Sequence, residues 1–280
     1  MLSACATAPA GPSVTTSVPV ATAAAPTLPA GMQYLYGSGE GAAQQLTAFH
    51  ALIAYATAKA KERPANSVVL AAGSPLVHAR FVPCGAKPLA AVFDADETVI
   101  LNLGFEADEA AHPGRAYDEA RWQAWERTGA GAVAAVPGAG HAFDDLRKAG
   151  VTVIVNTNRS TGNAAQTAAA LKAAGLGDFR PGETLFTRDA GAPSGKDARR
   201  AAIAGRYCVI AMAGDQLGDF ADAFNAAMPI AERRRLAEHS SAAGLWGKGW
   251  FVLPNPVYGT ALRGGPDDVF PTAKRWTPPQ

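Results

Sequence analysis

Four short apolar runs, at 89–93, 151–155, 208–212 and 250–253, recur along the chain with helical stretches between them. A strand that alternates apolar and polar residues leaves one face in water, whereas a run that is apolar throughout is buried on both. Continuous apolar strands alternating with helices therefore predict a parallel sheet covered on both sides, a three-layer α/β/α, Rossmann-like domain. The 280 residues are enough for one large domain or two small ones with a buried core. Segment 40–62 carries Leu46, Phe49, Leu52, Ile53 and Ala56 at helical spacing and predicts an amphipathic helix. Ser160 or Thr161 can cap a helix running through Leu171 to a stop at Gly175, and 218–238 reads as another helix, broken near Pro229. No internal repeat is present.

Segment 102–136, between the first and second strands, interrupts this alternation. It is polar, holds Trp122 and Trp125, and is too long for a simple crossover. It is expected as a small helical cap over the carboxyl ends of the strands, where open α/β sheets bind ligands. At the other extreme, residues 1–39 hold no charge at all. Prolines 9, 12, 19, 26 and 29 interrupt residues 6–31, so 1–32 reads as an extended linker rather than a membrane span. Leu2-Ser3-Ala4-Cys5 ahead of it resembles a bacterial lipobox, which makes Cys5 the candidate for lipid attachment. The folded domain is expected over 33–260 and a tail over 261–280. Cys84 and Cys208 are expected as two core thiols, with a disulfide as the alternative if the compartment is oxidising. With 25 Lys and Arg against 24 Asp and Glu and no basic stripe, nucleic acid polymers are excluded as partners.

The first strand ends Phe93-Asp94-Ala95-Asp96-Glu97-Thr98. Strand side chains alternate with period two, so Asp94 and Asp96 point the same way and need a cation beside them or a shared proton. The third strand adds acids at its own end in Gly214-Asp215-Gln216-Leu217-Gly218-Asp219. Such converging oxygens suit Mg²⁺. The second strand ends Asn156-Thr157-Asn158-Arg159, and Lys196 opens a later helix. Carboxylate nucleophile, metal, hydroxyl and ammonium together are what phosphoryl transfer to an aspartate requires.

In this order the motifs resemble those of the haloacid-dehalogenase superfamily. Asn102, Trp122-x-x-Trp125, Val136-Pro137-Gly138, and Pro254-Asn255-Pro256-Val257-Tyr258-Gly259 make the chain similar to the bacterial class C acid phosphatases, which are commonly lipoproteins. The resemblance implies a Mg²⁺-dependent phosphomonoesterase acting on small esters, 5′-nucleotides foremost, through an aspartyl-phosphate. Asp94 would be the nucleophile and Asp96 the general acid and base. Asp94, Asp215 and the carbonyl of Asp96 would hold Mg²⁺, with Asp219 in or behind that shell. Thr157, Asn158 and Lys196 would bind phosphate, and Trp122 and Tyr258 would stack on a base. Glu97 is read as structural. The family commonly has Asp-Asn-x-x-Tyr after the first motif, whereas this chain has Leu101-Asn102-Leu103-Gly104-Phe105, which bears on substrate preference and not on the nucleophile.

Location in the cell envelope, lipid-anchored or periplasmic, follows from the same resemblance; the only membrane contact implied is through Cys5, and a homodimer stays open. Rival site types fit the sequence poorly. Residues 191–197 fall one short of a phosphate loop and lack its Ser/Thr, no Cys is followed six residues later by Arg, no His lies in Arg-His-Gly, and the five His are scattered. Two alternatives share the fold: a phosphotransferase or phosphomutase on the same core, and a non-catalytic surface lipoprotein.

Overall fold

The computed structural model describes residues 28–279; Cys5, with the rest of the lipobox-like start, lies outside them. After an antiparallel pair, β1 (Asn66–Leu70) and β2 (Phe81–Pro83), five parallel strands form the central sheet in the order β7 (Leu185–Arg188), β6 (Thr152–Ser160), β3 (Leu89–Phe93), β8 (Cys208–Gly214), β9 (Trp250–Val252). All five residues of β3 are buried, as its continuous apolar character requires. Period-two alternation then divides them. Ala91 and Phe93 face one core with Phe49, Leu52 and Ala56 of helix Gly39–Glu62 and Phe143 and Leu146 of helix Ala139–Lys148. Ala90 and Val92 face the other, with Ile203 and Ala204 of helix Asp197–Arg206 and with Phe220 and Phe224. Each large side chain buried this way contributes about 1.5–3 kcal/mol, which fixes the sheet between its two helical layers. The result is the α/β/α arrangement read from the alternation.

Helix Gly39–Glu62 starts at Ser38, whose hydroxyl accepts from the Gly41 amide at 2.9 Å. Leu46, expected on its buried face, is instead partly exposed at 38 %. Strand β6 runs on to Ser160, so Asn156 to Arg159 belong to the strand and not to the loop beyond it. The helix expected over 218–238 is confined to Ile230–His239, with single 3₁₀ turns at Leu217–Asp219 and Asp222–Asn225. The Arg200 guanidinium takes the carbonyls of Gly218 and Asp219 at 2.8 and 2.9 Å, and these are the acceptors a continuing helix would need. The interrupting segment carries helices Leu103–Ala111 and Glu119–Thr128, and a two-stranded ribbon of β4 (Ile100–Leu101) and β5 (Ala134–Ala135) closes its base. Glu126 pins it to the sheet by accepting from the Ser160 amide at 3.1 Å and from Asn163 at 2.8 Å. No helix among the described residues is long and apolar enough to cross a membrane.

Cys84 and Cys208, expected as separate core thiols, are bonded to each other. Cys84 opens the turn that leads into β3 and Cys208 opens β8, so the bond ties the approach to β3 to the neighbouring strand at the end opposite the carboxyl ends. It closes a loop of 124 residues, and disulfides closing long loops restrict the unfolded chain most. The variant with both Cys84→Ala and Cys208→Ala is expected to lose about 2–5 kcal/mol in urea unfolding. A loss under about 1 kcal/mol would show that the buried strands hold this edge unaided.

Candidate active site

The carboxyl ends of β3 and β8 bring Asp94, Asp215 and Asp219 together, with one oxygen from each lying within 4.8 Å of the others. Lys196 sits among them, its Nζ 2.5 Å from Asp94 Oδ1 and 2.7 Å from Asp219 Oδ1. Burial works against charge on this lysine, but Asp219 and Asp94 outweigh it and its pKa rises. Burial raises the Asp94 carboxyl well above the usual range; Lys196 opposes this, and Asp219, Asp215 and Asp96 add to it. Burial and then Asp219 push Asp215 up to about 6, against hydrogen bonds from Asn255 at 2.8 Å and Gln216 at 2.9 Å. Thr98 Oγ1 donates to its other oxygen at 3.0 Å. Gly214 is what admits this crowding, because a Cβ there would lie 2.3 Å from that of Asp219.

Asp96 is turned toward a separate set of partners. Arg159, 2 % exposed, donates from Nε to Asp96 Oδ1 at 2.9 Å and from Nη2 to Asn102 Oδ1 at 2.7 Å. Asn102 in turn donates to Asp96 at 3.0 Å and receives Trp125 Nε1 at 3.0 Å. The two neighbouring carboxylates are thus each answered by a separate cation, Lys196 for Asp94 and Arg159 for Asp96. Thr157 Oγ1 lies 3.4 Å from Asp96 Oδ2, a long contact. Asn158 lines the cavity but is engaged on both sides, donating to the Ser194 carbonyl at 2.9 Å and accepting from Arg199 at 2.5 Å.

Glu97 is fully buried with a left-handed backbone at φ 54°, and its carboxyl accepts from Tyr36, Asn102 and the Tyr258 hydroxyl. Burial and then Asp96 raise it to about 8, against the Tyr258 and Asn102 hydrogen bonds. The Tyr258 ring stays 38 % exposed while its hydroxyl points inward, so Glu97 fixes one end of an otherwise open ring. Trp122 packs edge-on against Phe105, 4.9 Å between centroids. Both rings, Trp122 and Tyr258, line one cavity of about 600 Å³ whose floor is Asp94, Asp96, Lys196 and Asp215.

Several partners were not singled out from the sequence. Arg200, 1 % exposed, bonds the Asp222 carboxyl at 2.8 Å. Asp222 accepts from the amides of Lys196 and Asp197 at 2.7 and 2.9 Å, capping the helix that carries Lys196. This lock sets the lysine against the acids, and its signal was an Arg four residues after Lys196 facing the polar loop after β8. The donor set fits a divalent ion of the Mg²⁺ kind: three carboxylates, hard oxygen donors, two of them held by neutral amide donors.

A family model described as HAD superfamily, subfamily IIIB (acid phosphatase), matches residues 13–261. Two solved structures of the class C acid phosphatase from Bacillus anthracis, one with tungstate bound, superpose with TM-scores of 0.64 (tungstate) and 0.65. Each is 21% identical and covers 82% of this chain and 84% of its own. No curated protein matches. The family match spans most of the chain, and the protein belongs to the acid phosphatases of HAD subfamily IIIB, phosphomonoesterases that act on small phosphate esters.

Proposed function

We propose that this phosphomonoesterase is Mg²⁺-dependent, takes 5′-nucleotides among its small esters and works through an aspartyl-phosphate on Asp94. The observation that carries the reading is the meeting of Asp94, Lys196, Asp215 and Asp219 on the floor of a cavity that aromatic rings flank. Asp94, Asp215 and Asp219, with the carbonyl of Asp96, would hold the ion, which supplies charge neutralisation so that an anionic carboxylate can approach an anionic phosphate.

Asp94 attacks phosphorus as the bond to the ester oxygen breaks, and Asp96 protonates the departing alcohol. Asp96 then takes a proton from water, which attacks the aspartyl-phosphate and releases inorganic phosphate with Asp94 restored. Arg159 and Asn102 keep the Asp96 carboxyl aimed into the cavity through both steps. Lys196 stabilises charge on the transferring oxygens, Asn158 lines the same cavity, and Thr157, itself fully buried, reaches the floor only through its contact with Asp96. Trp122 and Tyr258 stack on the base, a contact any base can make through its π face. The Cys84–Cys208 bond is of the kind that persists outside a reducing cytoplasm, which supports action in the cell envelope, with Cys5 as the lipid site.

Hydrolysis of an aryl phosphate and of nucleoside 5′-monophosphates is expected to stop on chelation and to return with added Mg²⁺. Turnover that resists chelation would overturn the metal dependence, and turnover of the aryl ester alone would overturn the nucleotide reading.

A further inference from the structure

Glu106 lies in the cap helix Leu103–Ala111 and is only 6 % exposed, yet it lines the same cavity as Asp94, Asp96, Trp122 and Tyr258. Among the described residues nothing donates a hydrogen bond to its carboxyl. Its neighbours are all answered. Glu109, less than one turn further along, pairs with Arg115 at 3.1 Å and with Arg121, and Asp108 receives the same two arginines. Arg188, also on the cavity wall, is held by Glu119 at 2.8 Å, and Arg159 by Asp96. The cationic side chains of this wall are therefore engaged with other acids, and Glu106 is left facing the cavity. The residue is buried, but its carboxyl oxygens are not and open on the cavity, so a group that enters the cavity can donate to them. Burial and then Glu109 push Glu106 up to about 7 while Arg121 opposes them, the behaviour of a carboxyl lacking a close donor.

The surroundings indicate which donor. Trp122 and Tyr258, the rings read as stacking on a base, line the same cavity as Glu106, whereas the Phe105 ring is covered by the Arg121 guanidinium at 4.6 Å. A planar group stacked on these rings lies in the cavity that Glu106 lines and can turn an edge toward its carboxyl. A carboxylate only accepts, and its two oxygens match two adjacent N–H donors on one edge. Among nucleobases guanine has that edge, with a ring N–H beside an exocyclic amine. Hypoxanthine keeps only the ring N–H, adenine sets an acceptor beside its amine, and uracil flanks its N–H with two carbonyls.

We propose that Glu106 is a specificity-determining residue that accepts both N–H groups of a guanine edge, so that guanosine 5′-monophosphate is the favoured nucleotide substrate. This rests on the reading of the cavity as a 5′-nucleotide phosphatase site. The bond is made to a part of the substrate remote from phosphorus, so its loss is expected in KM more than in kcat.

The test compares guanosine and inosine 5′-monophosphates, which differ in that amine alone, in the full-length protein with Mg²⁺ and with an aryl phosphate as reference. The parent is expected to favour the guanosine ester by about 10-fold in kcat/KM. In Glu106→Leu the ratio is expected to fall within about two-fold of unity. Glu106→Gln, which keeps the volume and one acceptor oxygen, is expected to give an intermediate ratio and decides the matter if the leucine variant does not fold. A parent without preference, or a ratio that survives both substitutions while all rates fall together, would overturn the proposal and leave the phosphatase reading standing. A parent that hydrolyses the aryl ester and neither nucleotide would overturn the nucleotide reading and this inference with it.

Discussion

Replacing Asp94 with asparagine is expected to lower kcat on any phosphate ester by at least about 10³-fold, because the amide oxygen cannot displace the leaving alcohol as a carboxylate can. The same substitution is expected to leave the fold intact and the metal-free protein no less stable. Burial opposes the charge on Asp94, and although Lys196 favours it, Asp219, Asp215 and Asp96 all repel it. Removing that charge leaves Lys196 still paired with Asp219 at 2.7 Å and relieves a crowded acid cluster. Side chains kept for chemistry commonly carry such a stability cost. Thermal unfolding and steady-state rates on the same preparation check both halves. Substantial turnover in the asparagine variant would remove Asp94 as the nucleophile, and a large drop in melting temperature would make it a structural residue.

The parts of the site that could be read from the sequence are those whose geometry is local. Asp94 and Asp96 follow a strand that is apolar from Leu89 to Phe93, so both fall at the carboxyl end of the sheet, though past the strand they turn to separate cations, Lys196 and Arg159. Asp215 directly follows β8, and the 3₁₀ turn Leu217–Asp219 brings Asp219 back to the same end. What the sequence hides is set by contacts between distant segments. Arg200 captures two carbonyls 18 and 19 residues away, and this is why 217–225 turns as 3₁₀ rather than continuing as helix. Tyr258 reaches Glu97 across 161 positions, so a ring read only as a stacking surface is also anchored by its hydroxyl. The cysteines lie 124 residues apart, and their pairing depends on β3 and β8 being neighbours, which no spacing reveals. Glu106 is similar: sequence shows a helix acid, and only the packed cap shows that it is buried and without a donor.

Lys196→Met tests the electrostatics of the same cluster from the other side. The lysine is 4 % exposed and is the cation bonded to both Asp94 and Asp219. Without it three carboxylates whose oxygens lie within 4.8 Å of one another stand uncompensated in a buried pocket. Breaking a buried ion pair by removing one partner typically costs about 3–5 kcal/mol, since the charge left behind has lost its water and its counterion. Methionine fills similar volume, so the loss is expected to be electrostatic and not a packing defect. The metal-free variant is therefore expected to unfold well below the parent, and turnover to fall by about 10²–10³-fold for want of a donor to the transferring oxygens. Added Mg²⁺ is expected to raise the variant's melting temperature by more than the parent's, because the ion then meets the acids without a competing ammonium. An equal rise in both proteins would show that lysine and metal do not share the cluster, and unchanged turnover would remove Lys196 from the reaction.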